Sequence, residues 1–448
     1  MCNGTIMDKL ISFSIPLMLS GILQLMFNAV DIVVVGRFSG SQALAAVGST
    51  TALINVFTNL FIGISLGANV LAARYYAAGK TKEMSETVHT AIALALVSGV
   101  AMAVIGVVFA RGALEIMGTP DDVIAKSTLY MQIYFCGMPF FMMYNYGAAI
   151  LRAVGDTKRP LIFLIVSGVI NAVLNLFLVI VFHLDVAGVG IATVISQLVS
   201  CILVLRCLHH TESSYQLHLA KLRIRSVYLK QIFEVGVPAG IQSTVINFSN
   251  VLLQSSVNSF GSTAMAGYTA ANNLLGFLYV SVNSITQACM SFTSQNYGVG
   301  KLKRMDRVLA DCMILSVVVA VVLGCICYGF GPEILQIYTE DAEVIACGME
   351  ILAYTTITYF LCGWMDLFPG ALRGMGYSAV PMVLSVIGTV GTRVVWIFGI
   401  FPYHRSLAIL FISYPASWII TIILQVVCFY FVRRRVHRRS QALAGQEA

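Results

Sequence analysis

The sequence predicts an all-α integral membrane protein, with twelve transmembrane helices in two six-helix bundles related by a pseudo-twofold axis along the membrane normal. Composition, the spacing of apolar runs and an internal repeat carry that expectation. Of 448 residues, 58% are hydrophobic and 10% are charged, whereas a soluble domain holds about 25% charged residues. A soluble enzyme, a disordered regulator and a secreted disulfide scaffold are thereby excluded. A spanning helix takes roughly 20–25 apolar residues, so twelve would use about 240–300 positions. The chain supplies these and still leaves short loops.

Apolar windows place the helices near 11–35, 44–72, 88–110, 128–151, 160–183, 187–208, 232–259, 266–292, 306–330, 347–372, 378–401 and 405–432. The first run has faint signal-peptide features in Lys9 and Ala43-Leu44-Ala45. It is too long for that role and contains Asp31, so it is read as the first span. An even number of spans puts both termini on one side, and Lys and Arg decide which. Twenty-two lie in the termini and every second loop, from Lys9 and Arg74 to Arg433–Arg435, Arg438 and Arg439; the opposite loops hold only 4, Arg37, Arg111, Lys126 and Arg405. By the positive-inside rule the termini are cytoplasmic, in a bacterial-type plasma membrane.

The same pattern accounts for the net charge of +7 without nucleic acid. The tail at 433–448 reads as a basic stop-transfer anchor. The 11 cysteines are scattered through apolar runs with no metal-ligand spacing, which points to buried thiols. His209 and His210 likewise lack such spacing. No cofactor is expected, and no metal beyond a Na⁺ ion at Asp31.

Slid against itself by 222 and then 221 residues, the chain matches: Pro16 falls on Pro238, Asn28 on Asn250, Gly79-Lys80 on Gly300-Lys301, Leu151-Arg152 on Leu372-Arg373 and Gly155 on Gly376. A register held across a whole half is a repeat, not a coincidence of apolar segments. The expected division is an N-terminal lobe at 1–208, a cytoplasmic linker at 209–230 and a C-terminal lobe at 231–432. Six spans per half make the repeat parallel, an arrangement found in secondary transporters. Prolines early in spans 1, 5, 7 and 11 are candidate bends.

Ionisable and amide groups within hydrocarbon are costly, which makes them functional candidates. Gln24, Asn28 and Asp31 form one stripe on the first span, Asn171 and Asn175 one face of the fifth, and Thr193 follows near the outer end of the sixth. At 1.5 Å per residue, Asp31, Asn175 and Thr193 lie at similar depth with Asn171 a turn deeper. Their oxygens suit a proton or a hard cation such as Na⁺. In the second half, Leu253, Thr392 and Trp396 replace Asp31, Asn171 and Asn175, so no equivalent ion site is expected there. A polar stripe of Ser243, Asn247, Asn250, Gln254 and Asn258 instead suggests a cavity lining. Asp366 and Arg393 are tempting partners, but their depths differ too much for a direct pair; Arg393 is free to hold an anion or offset Asp31. Arg152 and Arg373, each just before a glycine, suggest helix caps at the cytoplasmic face.

Gln24…Asn28-Ala29-Val30-Asp31 with Gly36, Leu151-Arg152-Ala153-Val154-Gly155-Asp156-Thr157-Lys158 and Leu372-Arg373-Gly374-Met375-Gly376 resemble the multidrug and toxic compound extrusion family over about residues 8–432. The resemblance implies a secondary-active antiporter exporting amphipathic, cationic drugs or toxic compounds in exchange for H⁺ or Na⁺ by alternating access. It also implies a substrate cavity, to which Gln24, Asn28, Asn247, Asn250, Gln254, Asp366 and Arg393 are assigned here. The family's essential acid on the first helix matches Asp31, and Asn171 and Thr193 fit its site. The acid some members carry after Asn171 is Asn175 here, leaving one carboxylate. The expected partners are a small amphipathic molecule and lipid, with a monomer as the unit. A flippase of lipid-linked glycans or other lipids from the same superfamily is the alternative, expected to show more spans and a strongly basic cavity. An intramembrane enzyme lacks a nucleophile–base pair, and a channel lacks a filter segment.

Overall fold

A computed structural model describes residues 1–444, and every regular element in them is helical. The first half runs α1 (Met7–Phe38), α2 (Ser41–Ala77), α3 (Thr81–Ile116), α4 (Asp121–Cys136), α5 (Met138–Ala153), α6 (Lys158–Leu176), a π-helical turn at Phe177–Val181, and α7 (Asp185–His209). The second runs α8 (Ser226–Asn258), α9 (Ser262–Gly298), α10 (Leu302–Gly329), α11 (Gly331–Gln336), α12 (Ala342–Thr355), α13 (Tyr359–Gly374), α14 (Ala379–Ser385), a π-helical stretch Val386–Gly391, α15 (Thr392–Val395), a second π-helical turn Trp396–Ile400, and α16 (Leu407–Ala444).

All twelve expected spans are present among the described residues. Eight helices are long and apolar enough to cross a membrane, and α12 with α13 forms a ninth span bent by 51°. The remaining three are α4–α5, broken at Gly137, and α8 and α9, whose faces are rich in serine, threonine and asparagine. Large apolar side chains such as Val104, Val108, Phe109 and Phe398 are exposed, as a lipid-facing surface requires.

Backbone geometry repeats with the sequence. Glycines with positive φ end or join helices in matched pairs: Gly40 and Gly261 (85° and 101°), Gly79 and Gly300 (67° and 72°), Gly155 and Gly376 (101° and 94°). At the last pair the closing bonds coincide. Gly155 N donates to Arg152 O (3.0 Å) and Asp156 N to Leu151 O (2.9 Å), while Gly376 N donates to Arg373 O (2.8 Å) and Tyr377 N to Leu372 O (2.9 Å). A left-handed glycine thus caps α5 and α13. The Arg373 side chain does not cap, contrary to the sequence reading; it turns inward and donates to Gln242 Oε1 at 2.6 Å. Of the four early prolines, Pro160 and Pro381 sit in the first turn of α6 and α14, where no backbone donor is missed. Of these four, Pro16 and Pro238 are the two that lie inside helices.

The packing units do not follow the linear division at 208 and 231. One comprises Leu19–Gly240; the other comprises Met1–Met18 and the residues from Ile241 on. Close glycine packing explains the first assignment. A Cβ on Gly63 would lie 2.2 Å from the Gly240 Cα, one on Gly67 2.1 Å from the Ile232 oxygen, and one on Gly236 2.5 Å from the Ile64 Cα. Small residues four apart on both helices bring α2 and the first half of α8 to backbone contact, the main source of association where lipid removes the hydrophobic drive. In the other unit, Leu10, Phe13 and Leu17 of α1 pack with Ile285, Ala288 and Phe292 of α9, and Phe13 meets Phe292 edge-on at 5.6 Å.

The segment between α7 and α8 is held to α3. Arg223 Nη2 and Arg225 Nε reach the Glu86 carboxylate at 2.5 and 3.3 Å. His89 Nδ1 faces Ser85 O at 2.6 Å while its Nε2 accepts from His218 N at 3.1 Å, so the geometry fixes the Nδ1–H tautomer. Burial, reinforced by Lys221, His89 and His209, holds the His218 ring below the usual histidine range. At the other end, α16 continues the basic segment as helix, and Arg433 grips Asp306 through two bonds of 2.9 and 2.7 Å. The last four tail positions, 445–448, lie outside the described residues.

Two outcomes follow. Gly240→Val overpacks a backbone contact, at a cost of about 1–3 kcal/mol, and should lower the unfolding temperature in detergent; Gly112→Val, with nothing near its Cβ position, should not. For the linker, a depressed His218 pKa means the docked state binds fewer protons than the undocked one. Docking is therefore complete above about pH 6.5 and weakens as pH falls, so hydrogen exchange at 210–225 should rise between pH 7.5 and 5.5.

Candidate functional site

Three helices of the Leu19–Gly240 unit bring the predicted N-terminal residues together. Asn175, fully buried on α6, donates from Nδ2 to the Asp31 Oδ1 of α1 and also faces Asn171 Oδ1 at 3.2 Å. Asn171 Nδ2 in turn approaches Thr193 Oγ1 of α7 at 3.4 Å, and the threonine hydroxyl donates to Val189 O at 2.9 Å. The result is a polar relay from α7 through α6 to the carboxylate. No basic side chain lies within ion-pair distance of Asp31 among the described residues.

The relay leaves one acceptor over. Asn175 Oδ1 is buried without a donor, a situation that costs about 1–3 kcal/mol. With the second Asp31 oxygen it makes the centre oxygen-rich, able to receive a proton or a small hard cation. Gln24 and Asn28 continue the α1 stripe away from Asp31 and are exposed.

Local structure explains how a single α1 carboxylate meets α6. Gly168 stands opposite Phe27, and a Cβ there would fall 1.9 Å from the ring. The missing side chain is the space Phe27 occupies, and it sets the α1–α6 approach one turn before Asn171. Just beyond Asn175 the helix widens into the π-helical turn Phe177–Val181, a distortion common at functional sites. Sequence reading missed Gly168 and Tyr130, and it noticed Tyr134 only as one of several aromatics able to line a cavity; both tyrosines belong to α4 and lie within electrostatic range of Asp31. The tyrosines are four apart on one helix face, the one signal that could have drawn notice.

In the other unit the predicted residues divide. Asn250 Oδ1 accepts from Arg393 Nη1 at 2.7 Å, and Gln254 Nε2 donates to Asn258 Oδ1 at 3.1 Å. Asn247 is exposed, and Asp366 is partly buried. Asp366 forms no ion pair with Arg393; the depth difference inferred from helical rise keeps them apart. Arg373 stands two turns further along the same helix, α13.

Comparisons with known proteins agree with this architecture. The MatE family model matches residues 16–177 and again 238–398, with starts and ends offset by the register of the repeat. The probable multidrug resistance protein YoeA of Bacillus subtilis (strain 168) is 30% identical over 432 residues, covering 94% of this chain and 93% of its own. The multidrug export protein MepA of Staphylococcus aureus (strain NCTC 8325 / PS 47) is 21% identical over 389 residues, covering 86% and 85%. Among solved structures, a MATE protein in the bent conformation superimposes with a TM-score of 0.87 at 19% identity, covering 98% of both chains. An outward-facing multidrug resistance MATE family transporter of the MOP superfamily gives 0.87 at 19% identity, covering 97% of both.

The Gly168–Phe27 contact is testable by a double-mutant cycle. Gly168→Ala should lower thermal stability, Phe27→Ala should restore part of it in the double variant, and the coupling should reach about 0.5–3 kcal/mol. Additive effects would show that the contact does not set the α1–α6 approach.

Proposed function

The chain belongs to the MatE family, a family of multi-pass membrane transporters, and from that premise we propose that it is a secondary-active antiporter. It exports amphipathic, cationic drugs or toxic compounds in exchange for H⁺ or Na⁺ by alternating access, across the plasma membrane with both termini cytoplasmic. The work is transport, with no bond of the cargo made or broken. The names of its relatives, a multidrug resistance protein and a multidrug export protein, support the cargo class.

One observation carries the coupling role: a carboxylate within a transmembrane bundle, unpaired with any base, held by an amide beside an unsatisfied amide oxygen. Ionised Asp31 draws the Asn175 amide toward it. A proton arriving at the carboxylate removes that charge, and a sodium ion would share it among Asp31, Asn175 and Asn171 oxygens. Either loading changes what holds α1 to α6, and an ion drives the cycle only to the extent that it favours one state over the other. Asn175 in place of a second acid leaves Asp31 as the carboxylate of this centre. Substrate contacts are assigned to Gln24 and Asn28 on the same α1 stripe, so a shift of α1 alters ion and substrate sites together.

Asp31→Asn removes the charge at nearly constant shape. In proteoliposomes with independently imposed proton and sodium gradients and a panel of cationic dyes, the variant should insert and fold yet lose gradient-driven efflux at least tenfold. The gradient that drives the unmodified protein identifies the coupling ion. Undiminished gradient-driven efflux by the variant would defeat the Asp31 role.

A further inference from the structure

We propose that Arg393 is the centre of an anion-binding site in the unit that starts at Ile241, taking a small monovalent anion such as chloride or the carboxylate of an organic anion. Arg393 lies on α15, the short helical segment between two π-helical stretches, and is 3% exposed. A guanidinium at such depth needs compensation. Its contacts are all neutral: Nη1 donates to Asn250 Oδ1 at 2.7 Å and to Ser249 Oγ at 3.2 Å, and the guanidinium carbon stands 4.8 Å over the Tyr414 ring. No acid lies within ion-pair distance among the described residues.

The hydrogen-bond accounts of this cluster do not close. Arg393 Nε is buried with no acceptor. The Ser249 hydroxyl, fully buried, accepts from Arg393 and keeps its own hydrogen. The Tyr268 and Tyr414 hydroxyls bond each other at 2.9 Å, which uses one of their two hydrogens. Three donors and a full positive charge are therefore grouped without a matching acceptor. Removing such groups from water is costly unless they are paired. An anion supplies both the missing acceptor and the missing charge, and the burial of Arg393, Ser249, Tyr268 and Tyr414 favours a small group.

The repeat sharpens the assignment. In its register Tyr414 falls on Thr193, Asn250 on Asn28, and Arg393 between Asn171 and Asn175. The corresponding place in the first half is thus the Asp31 centre, with its surplus acceptor at Asn175 Oδ1. One half has an acid and an unmet acceptor; the other has a base and unmet donors. Asp31 itself falls on Leu253 and Arg393 on Ala172, so the two charges occupy corresponding regions of the repeat without being matched position for position, and their opposite signs favour ligands of opposite sign. This inference does not rest on the export reading, because its test uses no gradient and no drug.

The unmodified protein, purified in detergent, is titrated with sodium chloride, bromide or benzoate against the bulky gluconate salt at constant ionic strength, with unfolding temperature as readout. Chloride should raise it saturably by about 2–4 °C. Arg393→Gln should abolish the shift, and Asp31→Asn should retain it. Benzoate producing the shift and suppressing the chloride response marks an organic carboxylate as the occupant; a response to the halides alone marks the free ion. Should Arg393→Gln fail to fold, anomalous scattering from bromide in crystals of the unmodified protein should place the ion beside Nε. Identical unfolding temperatures in all four salts, an undiminished shift in folded Arg393→Gln, or no bromide at that position would overturn the site.

Discussion

The bond from Asn175 to Asp31 governs the N-terminal half of this molecule. A carboxylate among apolar helices has few ways to exist: it finds a base, a proton, a cation or a strong neutral donor. Here the donor is an amide on α6, itself tied to Asn171 and through it to Thr193. The chain of amides fixes which face of α6 meets α1, while Gly168 admits Phe27 to let the helices approach. The same arrangement is incomplete, since the second Asn175 valence has no donor. A site that is held in place but not satisfied is suited to reversible loading.

Membrane packing solves a second problem with the smallest residues. Where lipid is as apolar as any side chain, burial gives no preference for one helix pairing over another, and close van der Waals contact must supply it. Gly63 and Gly67 against Gly236 and Gly240 do so over the first half of α8. Aromatic and aliphatic side chains do the equivalent for the first residues of α1, through Phe13 and Phe292. Both helices therefore divide between packing units, at Met18 and at Gly240. They are also the helices that carry Asp31 and the Arg393 partners Ser249 and Asn250.

Duplication followed by divergence describes the polar centres. The turn glycines at 40, 79 and 155 recur at 261, 300 and 376 with the same left-handed backbone, so the scaffold has been retained. The side chains it presents have not. Thr193 and Tyr414 occupy corresponding places, one ending an amide relay and the other lying under a guanidinium. One scaffold can hold charges of either sign because its helices carry the backbone's hydrogen bonds internally, leaving side-chain chemistry free to change.

Much of this protein was legible in one dimension because the relevant physics is local or periodic. Apolar run length gave the twelve spans, Lys and Arg placement gave an orientation, and the fixed offset gave the repeat. The spacings of Gln24, Asn28 and Asp31, and of Asn171 and Asn175, gave polar faces whose depths proved compatible with contact. Partner choice was not legible, since it depends on packing between residues far apart in the chain. No local period announces that Gly240 meets Gly63, and so the division near 208–231 could not anticipate the halves of α1 and α8. Arg373 read as a cap because its neighbourhood is that of a helix end, yet Gly376 closes the helix and Gln242 takes the side chain. Arg393 showed its cost in the sequence, but only the fold revealed that its neighbours are donors and aromatic rings with no acid to neutralise it.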